Sequence, residues 1–247
     1  AMIGFLSKGQ RDLSLVYAKR DTLKEKKLRA KELKTANKNN VKAKKVKKQW
    51  KLTELDYGIF GEMVQNLDIS PDGGSIVYPK FRYGKNQSMI FDIVKIDIEK
   101  KKKSLLTSSM RANYPKFSPS GEGILFVAHK NSITDLYIMD VEGQNIKKLT
   151  SNSFDTQIIT PCWSPKGEEI VFAESGSDGN LDLYMMQIGS GKKIQITDSG
   201  EGDYLPIWHP NGNKISFTGL YDYTPNLFTY DISTGETIQN TDVGDAV

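Results

Sequence analysis

The chain holds one cysteine, Cys162, and two histidines, His129 and His209. A single thiol excludes an internal disulfide framework. Two separated imidazoles are too few for a histidine-rich metal site, so no metal and no cofactor are expected. No apolar run approaches the ~20 residues of a membrane-spanning helix. G-x-S-x-G nucleophile elbows, phosphate loops and dinucleotide fingerprints are absent. Cys162 adjoins Trp163 and reads as a small buried side chain, His209 as a turn residue, and His129 as a surface residue after a strand. Ser175-Gly176-Ser177-Asp178-Gly179 looks superficially catalytic, but turn chemistry explains it. The expectation is a protein that is not an enzyme.

What the chain does have is a phrase that returns four times: Ser70-Pro71-Asp72-Gly73, Ser118-Pro119-Ser120-Gly121, Ser164-Pro165-Lys166-Gly167 and His209-Pro210-Asn211-Gly212. The prolines lie 48, 46 and 45 residues apart. Proline presets φ inside a tight turn, and glycine accepts the left-handed geometry such turns need. Two residues before each proline stands a large apolar residue: Ile69, Phe117, Trp163 or Trp208. After each turn comes a strand start, namely Ile76-Val77-Tyr78, Ile124-Leu125-Phe126, Ile170-Val171-Phe172 or Ile215-Ser216-Phe217. A third strand (Phe91–Asp97, Asp135–Asp140, Asp182–Met186, Leu227–Asp231) and a fourth ending in Thr107, Thr150, Thr197 or Thr241 complete each period. Four strands per period of this length are one blade of an all-β propeller. A β-sandwich would need irregularly spaced strands without a shared phrase. Trp163 and Trp208 are expected to pack between blades. Asp135, Asp140 and Asp182 recur by position, which marks them as scaffold that caps turns or binds backbone amides.

Pro161-Cys162-Trp163-Ser164-Pro165-Lys166-Gly167 followed by Asp182-Leu183-Tyr184 resembles the TolB-like β-propeller repeats, a WD-repeat-like family. Blade 2 departs from that pattern, with Leu67 for the proline and Ile69 for the tryptophan, and His209 replaces the serine in the last unit. The resemblance covers residues 64 to 247 and implies the fold more strongly than any function. It implies a protein-binding scaffold exported to the bacterial periplasm and serving an envelope assembly. The alternative is the regulatory propeller of a larger serine peptidase or hydrolase.

Residues 1 to 63 fit the same template with one strand short: Ile3-Gly4-Phe5 as second strand, Asp12–Tyr17 as third, Leu52-Thr53 as blade end. The chain thus reads as a single partial propeller domain over 1–247, with about five blades visible and incomplete at both ends. Inside the first blade, residues 20–50 are an insertion. Residues 19–51 hold 15 Lys and Arg against 3 Asp and Glu, a net +12 in a chain of net +4. The apolar stripe of this insertion is thin, so a mobile loop with at most transient helix is expected, anchored where it returns by Trp50. Its basic residues Lys44, Lys45, Lys47 and Lys48 could meet an acidic surface. Nucleic acid ranks low as a partner, because aromatics for base stacking are missing. Acidic protein or anionic lipid ranks higher, and a solvated insertion without a partner highest.

Blade topology sends fourth-to-first and second-to-third connections to one face, and Pro-Gly turns and third-to-fourth connections, with the insertion, to the other. The fourth-to-first connections carry Glu54, Asp56, Glu62, Asp155, Asp198, Glu201, Asp203, Asp242 and Asp245 against Arg111. A protein partner is therefore expected on this acidic face, with Glu201, Asp203, Tyr204, Asp155 and Asp245 as candidate contacts. Tyr204 shares its template position with Tyr114, and simple packing at the channel mouth is its other reading.

Overall fold

The computed structural model describes residues 2–7, 13–39, 41–59, 66–83, 88–176, 179–221 and 224–243. They form five antiparallel sheets in two compact units, Ala1–Val64 and Gln65–Val247.

The first unit has strands β1 (Met2–Ser7), β2 (Leu13–Arg20) and β3 (Trp50–Ile59) in that spatial order, with helix α1 (Thr22–Lys38) between β2 and β3. The three strands occur where the template predicts; Asp12 and Glu62 lie outside the described residues, as does the side chain of Trp50. Within the insertion Thr22–Lys38 is a helix and residues 41–49 are irregular, so the helix is longer than the transient one expected. Five contacts account for the helix. Asp21 Oδ1 accepts from the Lys24 N–H (2.8 Å), an N-cap. Glu25 in the first turn pairs with Arg20 (2.7 Å) and accepts from the Gln49 N–H (2.8 Å). Glu32 accepts from the Lys44 N–H (3.2 Å), and the Val41 N–H donates to Ala36 O (3.0 Å). Half-buried Asp21, Glu25 and Glu32, with buried Ala36, therefore rest on the returning chain through polar contacts instead of an apolar stripe.

The second unit holds four blades. Blade 2 is β4 (Asp68–Ile69), β5 (Ser75–Tyr83), β6 (Met89–Asp97) and β7 (Lys103–Leu105). Blade 3 is β8 (Ala112–Phe117), β9 (Gly123–Lys130), β10 (Ile133–Asp140) and β11 (Lys147–Lys148). Blade 4 is β12 (Gln157–Trp163), β13 (Glu169–Ser175), β14 (Leu181–Gln187) and β15 (Lys193–Gln195). Blade 5 is β16 (Asp203–Trp208), β17 (Lys214–Tyr221), β18 (Thr224–Asp231) and β19 (Thr237–Gln239). Each is a four-stranded antiparallel meander, the blade of a β-propeller.

The repeated phrase closes each first turn. Gly73, Gly121, Gly167 and Gly212 donate to the carbonyl three residues back at 2.7–2.9 Å with φ between 71° and 77°. The serine hydroxyl then accepts from the amide five residues on: Ser75 (2.8 Å), Gly123 (3.0 Å) and Glu169 (3.1 Å). His209 keeps the turn's backbone bonds, and its Nε2 meets Ser216 Oγ at 3.0 Å. The turns also pack on one another. A side chain at Gly121, Gly167 or Gly212 would touch the ring of Pro71, Pro119 or Pro165, the proline one blade earlier.

Period-two alternation in the second strands supplies the core. Ile124, Phe126 and Ala128 pack with Val77 and Ile93 of blade 2, while Leu125 and Val127 pack with Ile158, Trp163 and Phe172 of blade 4. β9 is thus buried on both faces, whereas β17 alternates buried Ile215, Phe217 and Gly219 with half-buried Ser216, Thr218 and Leu220. The second-strand aromatic stacks on the aromatic opposite it in the third strand: Phe126 on Tyr137, Phe172 on Tyr184, Phe217 on Phe228, at 5.5–6.2 Å. Trp163 sits between blades 3 and 4, its Nε1–H donating to Lys116 O (3.1 Å), and Trp208 packs on Val171 and Met185 of blade 4. First strands of blades 3 to 5 bulge before their prolines, where Tyr114, Thr160 and Leu205 take φ of 50–54°.

Blade-to-blade contact can be separated from backbone conformation at two glycines. Gly143 (φ 80°) faces Leu106 O of blade 2, 2.8 Å from where a Cβ would stand, whereas Gly179 (φ 81°) has open space. Gly179→Ala is expected to cost about 1–2 kcal/mol and Gly143→Ala about 3 kcal/mol or more in denaturant titrations; equal losses would contradict the blade contact. Deleting residues 24–47 should leave the unfolding midpoint within ~2 °C, because at this chain length ~1 kcal/mol shifts Tm by 2–4 °C. A larger fall would make the helix part of the core.

Candidate functional site

Fourth strands of only two or three residues have few ladder bonds, so their ends must be held by side chains. The recurring third-strand acid and blade-end threonine do this. The Thr107 hydroxyl donates to Asp92 Oδ1 (2.9 Å) and accepts from the Ile93 N–H (2.9 Å). Thr150 repeats the pattern with Asp135 (2.9 Å) and Leu136 (3.0 Å), and Thr241 with Asn226 (3.0 Å) and Leu227 (2.9 Å). The same carboxylate or amide receives the following connection: Ser109 N–H on Asp92 (2.9 Å), Asn152 N–H on Asp135 (2.9 Å), Val243 N–H on Asn226 (2.8 Å). Arg82 and Lys148 neutralise Asp92 and Asp135 at 3.3 and 2.7 Å. Asp140 accepts the Gln144 and Glu142 amides of its turn, which holds its carboxyl below the usual range. Asp135 and Asp140 bind the fold, as their recurrence suggested; Asp182 instead accepts from the Gln195 side-chain amide (3.2 Å). Asn226 filling the acid's place in blade 5 was not foreseen.

In blade 4 the pattern is re-routed. Thr197 accepts from the Leu183 N–H (2.9 Å), and its hydroxyl, with that of Ser199, hydrogen-bonds Asp203. Asp203 is 3% exposed and closes on Gly219, where any Cβ would lie 2.7 Å from its Oδ1. Burial pushes its carboxyl above the ordinary value against those hydrogen bonds. Asp203 is therefore a buried carboxylate and not the surface charge expected from its connection. Tyr204 is half-buried against Ala173, Leu183 and Phe217, and Tyr114 packs similarly in blade 3. Glu201, Asp155, Asp198 and Asp242 are exposed; Asp245 lies outside the described residues. Cys162 is half-buried and its thiol is raised by that burial. Ser177 and Asp178 lie outside the described residues, and Gly179 N–H closes on Gly176 O (3.2 Å).

His129 is half-buried, against the surface position expected, and lies beside Arg111 because Ala112 pairs with Ala128 across β8 and β9. Together they border a cleft of about 300 Å³ floored by Ile90, Val127 and Ile158. A neighbouring lobe of about 390 Å³ shares both residues and adds Lys130. Sequence reading missed this site, because its residues come from separate blades.

In the first unit, α1 presents Lys24, Lys27, Lys31, Lys34 and Lys38, spaced three and four apart, as one exposed stripe. Lys44, Lys45, Lys47 and Lys48 are exposed too, with Lys44 and Lys45 beside a cleft lined by Arg29. Among the described residues no helix is long and apolar enough to cross a membrane, and no three His, Cys, Asp or Glu side chains gather in a metal-like group.

Residues 129–207 match the family described as the dipeptidyl peptidase IV (DPP IV) N-terminal region. The protein TolB homolog of Chlorobaculum tepidum is 30% identical over 113 residues, 46% of this chain and 25% of that protein. TolB from Acinetobacter baumannii superposes with a TM-score of 0.59 at 22% identity, covering 77% of this chain and 46% of that one. A puromycin-hydrolyzing peptidase of Mycobacterium tuberculosis gives 0.60 at 12% identity, over 77% and 30%. The chain spans between a quarter and half the length of the curated relatives it matches.

Asp203 has a distinct pH signature. Between its unfolded value near 3.8 and its raised folded value, the folded state holds more protons, so wild-type stability declines as pH rises. Asp203→Asn should remove that decline: its stability relative to wild type is expected to improve from pH 3.5 to pH 7. A relative loss over that range, measured by urea titration, would mean that the carboxylate stabilises the fold in its charged form.

Proposed function

We propose, for a chain whose repeats are those of the TolB-like β-propeller family, that the four-bladed unit is a non-enzymatic platform holding a protein partner at its connection end. The repeated polar residues are committed to latches and turns, so recognition falls to residues that differ between blades. One observation carries the reading. Tyr83, Met89 and Phe154 are 69%, 66% and 66% exposed. Tyr83 ends β5 and Met89 begins β6, on either side of a second-to-third connection. Phe154 lies in a fourth-to-first connection next to exposed Asp155, and the following connection of that kind carries exposed Asp198 and Glu201. Large apolar anchors in a charged rim are the composition of binding hot spots. Tyr204 and Leu205 extend that surface from β16.

Likeness to a Tol-Pal system protein TolB of Francisella tularensis supports a periplasmic or envelope-associated setting. The second reading is the regulatory propeller of a serine peptidase, favoured by the match to the DPP IV N-terminal region. Adjoining sequence with a G-x-S-x-G elbow would support the peptidase reading; further blades and an envelope-anchoring domain would support the scaffold.

Photo-crosslinking from single sites in the producing cell tests the platform. Crosslinkers replacing Phe154 and Tyr83 should give discrete adducts, while one at Ile146, in a third-to-fourth connection, should give none. Adducts from Ile146 alone, or from no site, would contradict a partner at the connection end.

A further inference from the structure

We infer that the cleft bordered by Arg111 and His129 binds an apolar carboxylate: a ligand carrying one carboxylate beside an aliphatic or aromatic group. The inference does not depend on the protein-binding reading, since it rests on the cleft alone.

The floor is apolar and buried. Ile90, Val127 and Ile158 are each at most 4% exposed, contributed by blades 2, 3 and 4, with Phe91 at the wall. Phe91 is braced edge-on by Phe81 at 5.6 Å. The rim is built of donors. Arg111 and Lys130 are exposed and, among the described residues, have no carboxylate partner. Asn113 Oδ1 is taken by Asn66 Nδ2 (3.1 Å) and the Tyr114 N–H (2.8 Å), which leaves its Nδ2 as a donor. Thr134 is occupied, donating to Thr156 O (3.0 Å) and accepting from the Ile158 N–H (2.6 Å). Among the described residues no Asp or Glu lines either lobe, although the other connections at this end are acidic. An apolar floor with unpaired cationic donors at one edge selects an anion attached to an apolar body. The planar fork of Arg111 matches a carboxylate in particular.

Backbone conformation points the same way. Ser109 and Arg111 take φ of 61° and 51°. The matching positions of blade 5, counted back from Pro206 as these are from Pro115, are Gly200 and Gly202, with φ of 73° and 120°. At the first of these positions blade 4 also carries a left-handed side chain, Asp155 (φ 69°); at the second, blade 3 places the cleft's Arg111 where blade 5 has glycine. Strain retained beside a pocket is a mark of use. His129 is fixed against the same segment by its N–H to Met110 O (3.3 Å).

The carboxylate could belong to a free small acid or to the C-terminus of a peptide. Titration calorimetry of the full chain with N-acetylphenylalanine, a tetrapeptide ending in phenylalanine, and the amide of each separates these sources. At least one acid should bind about tenfold or more tighter than its amide, as loss of a charge-assisted contact implies. Binding by the small acid identifies a small-molecule site; binding by the peptide alone identifies a chain terminus. Arg111→Gly should abolish the preference for acid over amide while leaving the unfolding midpoint equal or raised. Lys166→Gln, in a Pro-Gly turn, should change nothing. Equal binding of acid and amide, no saturable binding of either acid, or an acid preference that survives Arg111→Gly would overturn the assignment.

Discussion

Blades 2, 3 and 5 depend on one interaction, the hydrogen bond from a blade-end threonine to the third-strand Asp or Asn. Fourth strands of two or three residues cannot hold themselves by ladder bonds, and the latch joins them to β6, β10 and β18 through buried, fully used oxygens. Removing one partner would leave a buried acceptor unmet, a loss on the order of 1–3 kcal/mol. The same side chains receive the amides that begin the next connection. The latch thus fixes both the outer edge of a blade and the start of the loop that leads to the next. The surface proposed for recognition is hung on it.

Repetition explains which residues are free to recognise anything. Stacked Pro-Gly turns tie one end of the blades together, and paired aromatics fill the space between them. At the other end the latches impose a common backbone, and only what lies between latch and first strand varies. Arg111 in blade 3, Phe154 and Asp155 in blade 4 and Glu201 in blade 5 are the variable residues. Asp203 shows that even an acid in such a connection can be absorbed by the fold, once Thr197 and Ser199 turn towards it.

Much of the fold was legible because the signals are local and recur. The Ser-Pro-x-Gly turns, the strand starts after them and the inter-blade tryptophans all follow from residues within one period. The helix in the insertion was not legible. Its stability comes from Glu25 and Glu32 meeting backbone amides 24 and 12 residues away, and a search for an apolar stripe overlooks a polar one. Asp203 was misread for a related reason: its burial depends on Gly219, in the next strand. The Arg111–His129 cleft draws on three blades, and only the β8–β9 register brings these two rim residues together.

Native-state hydrogen exchange of the Thr150→Val variant tests the latch most directly. The variant keeps the side-chain volume but loses the hydroxyl that serves Asp135 and Leu136. Protection should fall at Leu136 and Asn152, the two amides held by this latch, while Ile93 and Leu227, held by the neighbouring latches, exchange as before. Unchanged protection at Leu136 and Asn152, or an equal fall in every blade, would contradict the view that each latch holds its own connection.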